Sequence, residues 1–195
     1  SFKQKKRFIE ESFDIRQINK FNGRFIYKNI SAKYVIMCQG VNAIKNNVFN
    51  HLPIIPNKGE LIDIQSNDFP KVMLSKGVFN LPLEKNIFTL GSTYNHRDVS
   101  ENVTDFAKKQ LLQSFEKITA LKNFKIINHK YGFRPTTIDR KPIIGEHPEI
   151  KNLYIFNGMG SKAVLMAPLL AKELIENIIY AKNLNPKVCI KRFNK

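Results

Sequence analysis

The chain is predicted to fold as a mixed α+β / α/β protein, with antiparallel strands in its middle and a piece of α/β character on either side. Three observations carry this. Short apolar runs bounded by turn residues are frequent, whereas helical periodicity is confined to two stretches. The run Tyr34-Val35-Ile36-Met37-Cys38 is apolar throughout and closes on Gly40, as a strand buried on both faces would. Residues 153–157 are apolar in the same way, end in Gly158 and Gly160, and lead straight into a helical stretch.

Taken in order, residues 24–28 read as a strand followed by a turn, and 34–38 as the buried strand just described. A loop rich in Asn and Pro extends to Pro56. Residues 59–65, 77–83 and 86–92 lie between turn signals and read as strands. Thr104 is a candidate N-cap for a helix reaching about Ile118, with Phe106, Ala107, Leu111, Phe115 and Ile118 on its buried face. Residues 124–129 and 153–157 read as strands, and 161–181 as a helix. Pro168 removes a backbone donor inside that helix and predicts a kink or an irregular first turn. The two flanking α/β pieces fit one domain, with the antiparallel middle inserted between them.

A length of 195 residues with 43% hydrophobic content allows one large domain or two small ones. The longest apolar segment, residues 163–181, is interrupted by Lys172, Glu173, Glu176 and Asn177, so no membrane span is predicted. No secretory signal is evident, and the start at Ser1 suggests a fragment. The net charge of +16, from 32 basic and 16 acidic residues, raises nucleic acid as a partner. The lysines are scattered, however, and only the ends are locally basic: Lys3, Lys5, Lys6 and Arg7, then Lys187, Lys191, Arg192 and Lys195. Cys38 and Cys189 form no CxxC pair, and His51, His96, His129 and His147 lack ligand spacing, so neither a disulfide framework nor a metal site is predicted. A cytoplasmic setting follows.

Two stretches carry candidate chemistry. Asn157-Gly158-Met159-Gly160-Ser161-Lys162 joins a buried strand to a helix. Its glycines would let a ligand approach the backbone, and the free N–H groups at the helix start would favour an anion or an electron-rich carbonyl. An ordinary strand-to-helix turn would have the same spacing. The second stretch runs Gly132-Phe133-Arg134-Pro135-Thr136-Thr137-Ile138-Asp139-Arg140-Lys141-Pro142-Ile143-Ile144-Gly145. Arg134, between Phe133 and Pro135, suits bidentate capture of a carboxylate; a structural pair with Asp139 is the competing reading.

This second stretch resembles the signature of the D-amino-acid oxidase and glycine oxidase superfamily of FAD-dependent oxidoreductases, and other segments follow in matching order. Residues 34–40 resemble that family's strand ending in Ala-x-Gly. Pro56-Asn57-Lys58-Gly59-Glu60 is similar to its Pro-x-Arg-Gly-Gln segment, and Gly91-Ser92-Thr93-Tyr94 to its Gly-Ala-Thr segment. Asn-Leu-Tyr-Ile-Phe-Asn-Gly-Met-Gly with the helix around Ala167-Pro168 completes the set, so the resemblance covers about residues 20–182. It implies an antiparallel-sheet substrate domain inserted between pieces of a Rossmann-like FAD-binding domain whose N-terminal part is missing. Residues 1–42 would end the first FAD-domain piece, 43–130 would form the substrate domain, 131–182 would return to the FAD domain, and 183–195 would be a basic tail.

The resemblance also implies roles. Arg134 would be the catalytic-site arginine that binds a substrate carboxylate. Phe79 and Tyr94 would line the substrate pocket, and a plain core position suits Phe79 equally. Gly158, Met159, Gly160, Ser161, Lys162 and Ala163 would face the flavin ring, and Gly40 the phosphate or ribose side of FAD. Hydride would pass from an amine, an amino acid or a 2-hydroxy acid to flavin N5, with an imine then hydrolysed by water. The chain departs from the family in several places. It holds no GxGxxG, Gln39 and Asn42 replace a small residue and a tryptophan, Phe79 lacks a hydroxyl, and Ala163 stands for a glycine. Two other readings remain: a tRNA-modifying flavoenzyme of the same superfamily, favoured by the charge, and a truncated, non-catalytic binding module, favoured by the missing glycine motif.

Overall fold

Asn22 and Gly23 both take positive φ, 48° and 74°, and this two-residue turn folds β1 (Asn19–Phe21) back on β2 (Arg24–Tyr27). With β3 (Ile30–Ala32) they make a three-stranded antiparallel sheet. The computed structural model describes residues 8–69, 71–120 and 122–193; the basic residues Lys3, Lys5, Lys6, Arg7 and Lys195 lie outside the described residues.

After β4 (Val35–Met37), residues Gly40–Lys45 form a 3-10 turn that leads to the large sheet. That sheet contains β5 (Ile54–Gln65), β6 (Leu74–Lys76), β7 (Val78–Pro82), β8 (Ile87–Gly91) and β9 (Lys125–Thr137), in the order β6-β7-β8-β5-β9 with antiparallel neighbours. α1 (Asp105–Glu116) covers one face of it. Leu111 and Phe115 of α1 pack on Ile62, Ile64, Phe88 and Leu90 in a core that water does not reach. Because strand side chains alternate, Asn57, Gly59, Leu61 and Arg134 share the opposite face.

The third sheet joins β10 (Ile143–Glu146) antiparallel to β11 (Leu153–Asn157), and β11 parallel to β4. α2 (Ala163–Tyr180) lies over it, with Leu170 and Leu174 packed on Ile144 and Tyr154. A separate core beneath this sheet gathers Phe25, Met37, Phe49, Leu153, Ile155 and Ile190, residues drawn from both ends of the described chain.

The antiparallel middle with one helix is present as predicted, and so is the strand-glycine-helix unit at 153–180. Four expectations are corrected. Residues 34–38 were expected to be buried on both faces, but Ile36 and Cys38 are exposed: α2 covers Tyr154, the neighbour of Ile36 on β11, and Ile36 lies beyond it. Phe106 was placed on the buried face of the first helix, yet it is 77% exposed, because the inward stripe runs through Ala107, Leu111 and Phe115 at four-residue spacing. The strand expected at 124–129 continues to Thr137, so residue 130 falls inside β9 rather than at its end. The stretch after 182, expected as a basic tail, is packed: Val188 and Ile190 are buried, and Ile144 forms a parallel bridge with Cys189.

Candidate active site

Arg134 sits near the end of β9, opposite Asn57 on β5. One terminal nitrogen donates to Thr93 O at 3.3 Å and the other to Ser92 Oγ. The Tyr94 ring lies 4.3 Å from the guanidinium carbon. Burial pulls the Arg134 pKa below its ordinary value, while Tyr94 pushes it the other way; the group stays charged at neutral pH. The competing partner is occupied elsewhere. Asp139 receives Arg192 Nε at 2.9 Å, and hydrogen bonds including those from Arg192 and the Lys141 amide outweigh burial to hold its carboxyl below the usual range. Among the described residues no carboxylate pairs with Arg134. A partly buried cation held only by neutral groups is a receptor for an anion.

The three residues after Arg134 reach the three glycines singled out above. A side chain added at Gly40 would meet Pro135 at 3.9 Å, one at Gly160 would meet Thr136 at 3.3 Å, and one at Gly158 would meet Thr137 at 2.8 Å. Gly40, Gly158 and Gly160 all take positive φ, which a side chain would oppose. Asn157 Nδ2 donates to Gly40 O at 2.8 Å, and its Oδ1 accepts from Gly158 N. That side chain therefore ties together the loops that leave the carboxyl ends of β4 and β11. Such a crevice, outside the carboxyl ends of parallel strands, is where open α/β sheets bind ligands.

Gly160–Lys162 form a 3-10 turn before α2, and neither Met159 nor Lys162 caps a helix start with its side chain. Lys162 N donates to Met159 O at 3.2 Å, and among the described residues no side-chain cap covers this positive helix end. Ser161 and Lys162 are exposed, and Met159 and Ala163 partly so. A positive helix end of this kind fits the carbonyl edge of a flat conjugated ring. Phe79 is half-buried and packs against Gly91, on the same sheet face as Leu61 and one residue before Ser92. Among the described residues no cluster of His, Cys, Asp and Glu could hold a metal, and no helix is long and apolar enough to cross a membrane.

Strand β9 thus carries Arg134 beside Tyr94 and its next three residues, Pro135 to Thr137, onto the two glycine loops. Sequence reasoning assigned no role to Gly59, Ser92, Thr93 or Asn157; the Gly59 and Gly91–Thr93 segments stood out only as parts of matching motifs.

A family model described as FAD-dependent oxidoreductase (DAO) matches residues 9–177. Glycine oxidase from Pseudomonas aeruginosa is 29% identical over 128 residues, which is 64% of this chain and 35% of that protein. The tRNA 5-methylaminomethyl-2-thiouridine biosynthesis bifunctional protein MnmC from Idiomarina loihiensis is 26% identical over 155 residues, 74% of this chain and 25% of that protein. The crystal structure of glycine oxidase from Bacillus cereus superposes with a TM-score of 0.72 at 21% identity, over 86% of this chain and 49% of that one. The chain thus spans about a third of the curated relative and about half of the solved structure.

Proposed function

Because the chain belongs to the DAO family of FAD-dependent oxidoreductases, we propose that it forms the substrate clamp and the flavin-ring end of an enzyme that oxidises a small amine or amino acid bearing a carboxylate. FAD is the cofactor and supplies the two-electron acceptor. Arg134 binds the carboxylate, and orientation against the acceptor supplies much of the rate. Gly158, Met159, Gly160, Ser161, Lys162 and Ala163 line the ring, with the positive start of α2 toward its electron-rich edge, and Gly40 lets the far side of the cofactor approach. Phe79 and Tyr94 exclude water from beside the arginine. Among the described residues no carboxylate or histidine pairs with Arg134, which suits an amine that arrives neutral. A 2-hydroxy acid fits the same clamp. The two cysteines stand free, which suits a cytoplasmic setting.

The observation that carries this reading is that Arg134 is partly buried with no carboxylate partner among the described residues, directly before the residues that pack on the glycine loops. Turnover by the FAD-loaded enzyme that contains these residues together with a dinucleotide-binding segment tests it, with a panel of amino acids, 2-hydroxy acids and amines lacking a carboxylate. Carboxylate substrates should be preferred. Arg134→Gln should reduce kcat/KM for them by roughly 30- to 700-fold, equivalent to about 2–4 kcal/mol. Equal turnover of amines with and without a carboxylate overturns the clamp.

The charge of +16 and the similarity to MnmC favour a second reading, in which the substrate amine is carried on a tRNA. Salt-dependent retention of tRNA supports it, and no retention at low salt removes it.

A further inference from the structure

We infer that Gly59 is the positioning residue of the clamp: the space its missing side chain leaves is the seat of the Arg134 guanidinium. As an account of carboxylate binding, this rests on the function proposed above. As an account of what holds Arg134 in place, it rests on geometry alone.

A side-chain carbon added at Gly59 would lie 2.3 Å and 2.4 Å from the two terminal nitrogens of Arg134 and 2.6 Å from the carbon between them. Ordinary contact begins near 3.4 Å, so the head would have to retreat by about 1 Å. Nothing in the backbone asks for glycine here. Gly59 lies outside the left-handed region, and it is paired in the middle of β5. Its partner across the ladder, Gly132, would meet nothing within 4 Å if given the same carbon. The demand at 59 therefore comes from the arginine and not from the sheet.

The seat is one of several restraints on the same head. Ser92 Oγ and Thr93 O each accept from a terminal nitrogen, and Tyr94 lies along the guanidinium. A guanidinium carries five N–H donors, so the two used here leave three for a ligand, enough for a bidentate carboxylate. The head is held before any anion arrives, which removes part of the ordering cost of binding. An alanine at 59 has a permitted backbone, and its obstacle is the end of a flexible side chain. The Gly59→Ala protein should fold normally while its clamp moves. A displacement of about 1 Å in a positioned group can cost on the order of 100-fold.

The test uses the ¹⁵N-labelled chain, with the Arg134 Nε–Hε resonance assigned by its loss in Arg134→Gln and with acetate as the carboxylate probe. Gly59→Ala should shift or broaden that resonance while backbone amides away from residues 57–61 and 132–136 keep their positions, and should weaken acetate binding by roughly tenfold or more. On the Arg134→Gln background the same substitution should have no further effect on acetate binding. An unchanged Arg134 resonance in Gly59→Ala overturns the seat. So does loss of acetate binding that is independent of, and multiplies with, that of Arg134→Gln. If acetate leaves the Arg134 resonance unmoved in the wild-type chain while Gly59→Ala still shifts it, the carboxylate reading fails and the seat stands.

Discussion

Lys58 is 1% exposed on β5, and four groups make that burial tolerable: Asp98 Oδ2 at 2.6 Å, Ser100 Oγ at 3.1 Å, Glu60 Oε1 at 3.8 Å and the Tyr131 ring at 5.6 Å. The Lys58 ammonium, with the Ser100 hydroxyl and amide behind it, holds the Asp98 carboxyl down at about 2. A carboxylate with a depressed folded pKa stabilises the fold above its unfolded value, near 4, and loses that contribution as pH falls toward the folded value. Asp98→Ala should therefore lower Tm at neutral pH, and its gap from wild type should close as the pH approaches 2; a gap that does not change with pH would rule the pair out as its source. The residues around Arg134 left two readings open, a carboxylate clamp or a pair with Asp139, and did not give its environment. Whether it paired with Asp139 depended on Arg192, 53 residues further along, whose approach only the docking of the last segment decides. Lys58 likewise read as one more scattered lysine, because its burial follows from the loop carrying Asp98 and Ser100 folding over β5.

At the scale of elements, what local chemistry dictates was readable. Thr104 caps α1: its hydroxyl accepts from Ala107 N at 3.1 Å. It also donates to Glu60 Oε1 at 2.9 Å, while its amide donates to Glu60 Oε2 at 2.8 Å, which fixes the start of the helix on the sheet. Thr104→Ala should cost about 1–2 kcal/mol, read as a lower urea midpoint with an unchanged slope; no change in midpoint would mean that tertiary packing alone sets the helix start. The extent of β9 was hidden because Gly132 and Pro135 argue locally against a strand. The sheet admits them because β9 is an edge strand and Pro135 lies opposite Pro56, where the ladder loses donors on both sides. α2 shows a similar division. Its strand-glycine-helix entry was legible, and Pro168 pointed to an irregular first turn where the 3-10 turn through Lys162 stands, but the packing of Thr136 and Thr137 against the positive-φ glycines was not, since it brings β9 onto that loop. Gly158→Ala should be destabilising on both counts, with the added carbon 2.8 Å from Thr137 Cγ2 and φ at 76°, and a thermal melt no lower than wild type would contradict that account.

For the whole molecule, the consequence of this arrangement is that one cofactor would be gripped unevenly. The carboxyl ends of β4 and β11 open beside Gly40 and Gly158, and the uncapped start of α2 supplies amides to the same place. These groups suit a flavin ring. The phosphates of a dinucleotide are usually held by a glycine-rich turn and the N-terminus of the helix after it, in the GxGxxG pattern, and no such pattern occurs in the 195 residues. Ring contacts without that grip leave most of the cofactor's charge unpaired. The chain alone should therefore bind FAD weakly. When it is mixed with excess FAD and passed over a sizing column, the flavin should elute with the small molecules and leave the protein colourless. Arg134→Gln should behave identically, because in the proposed function the arginine serves the substrate and not the cofactor. Stoichiometric yellow protein after the column would show that the Gly158–Ala163 loop and its neighbours suffice, and that the phosphates find a site which the sequence does not display.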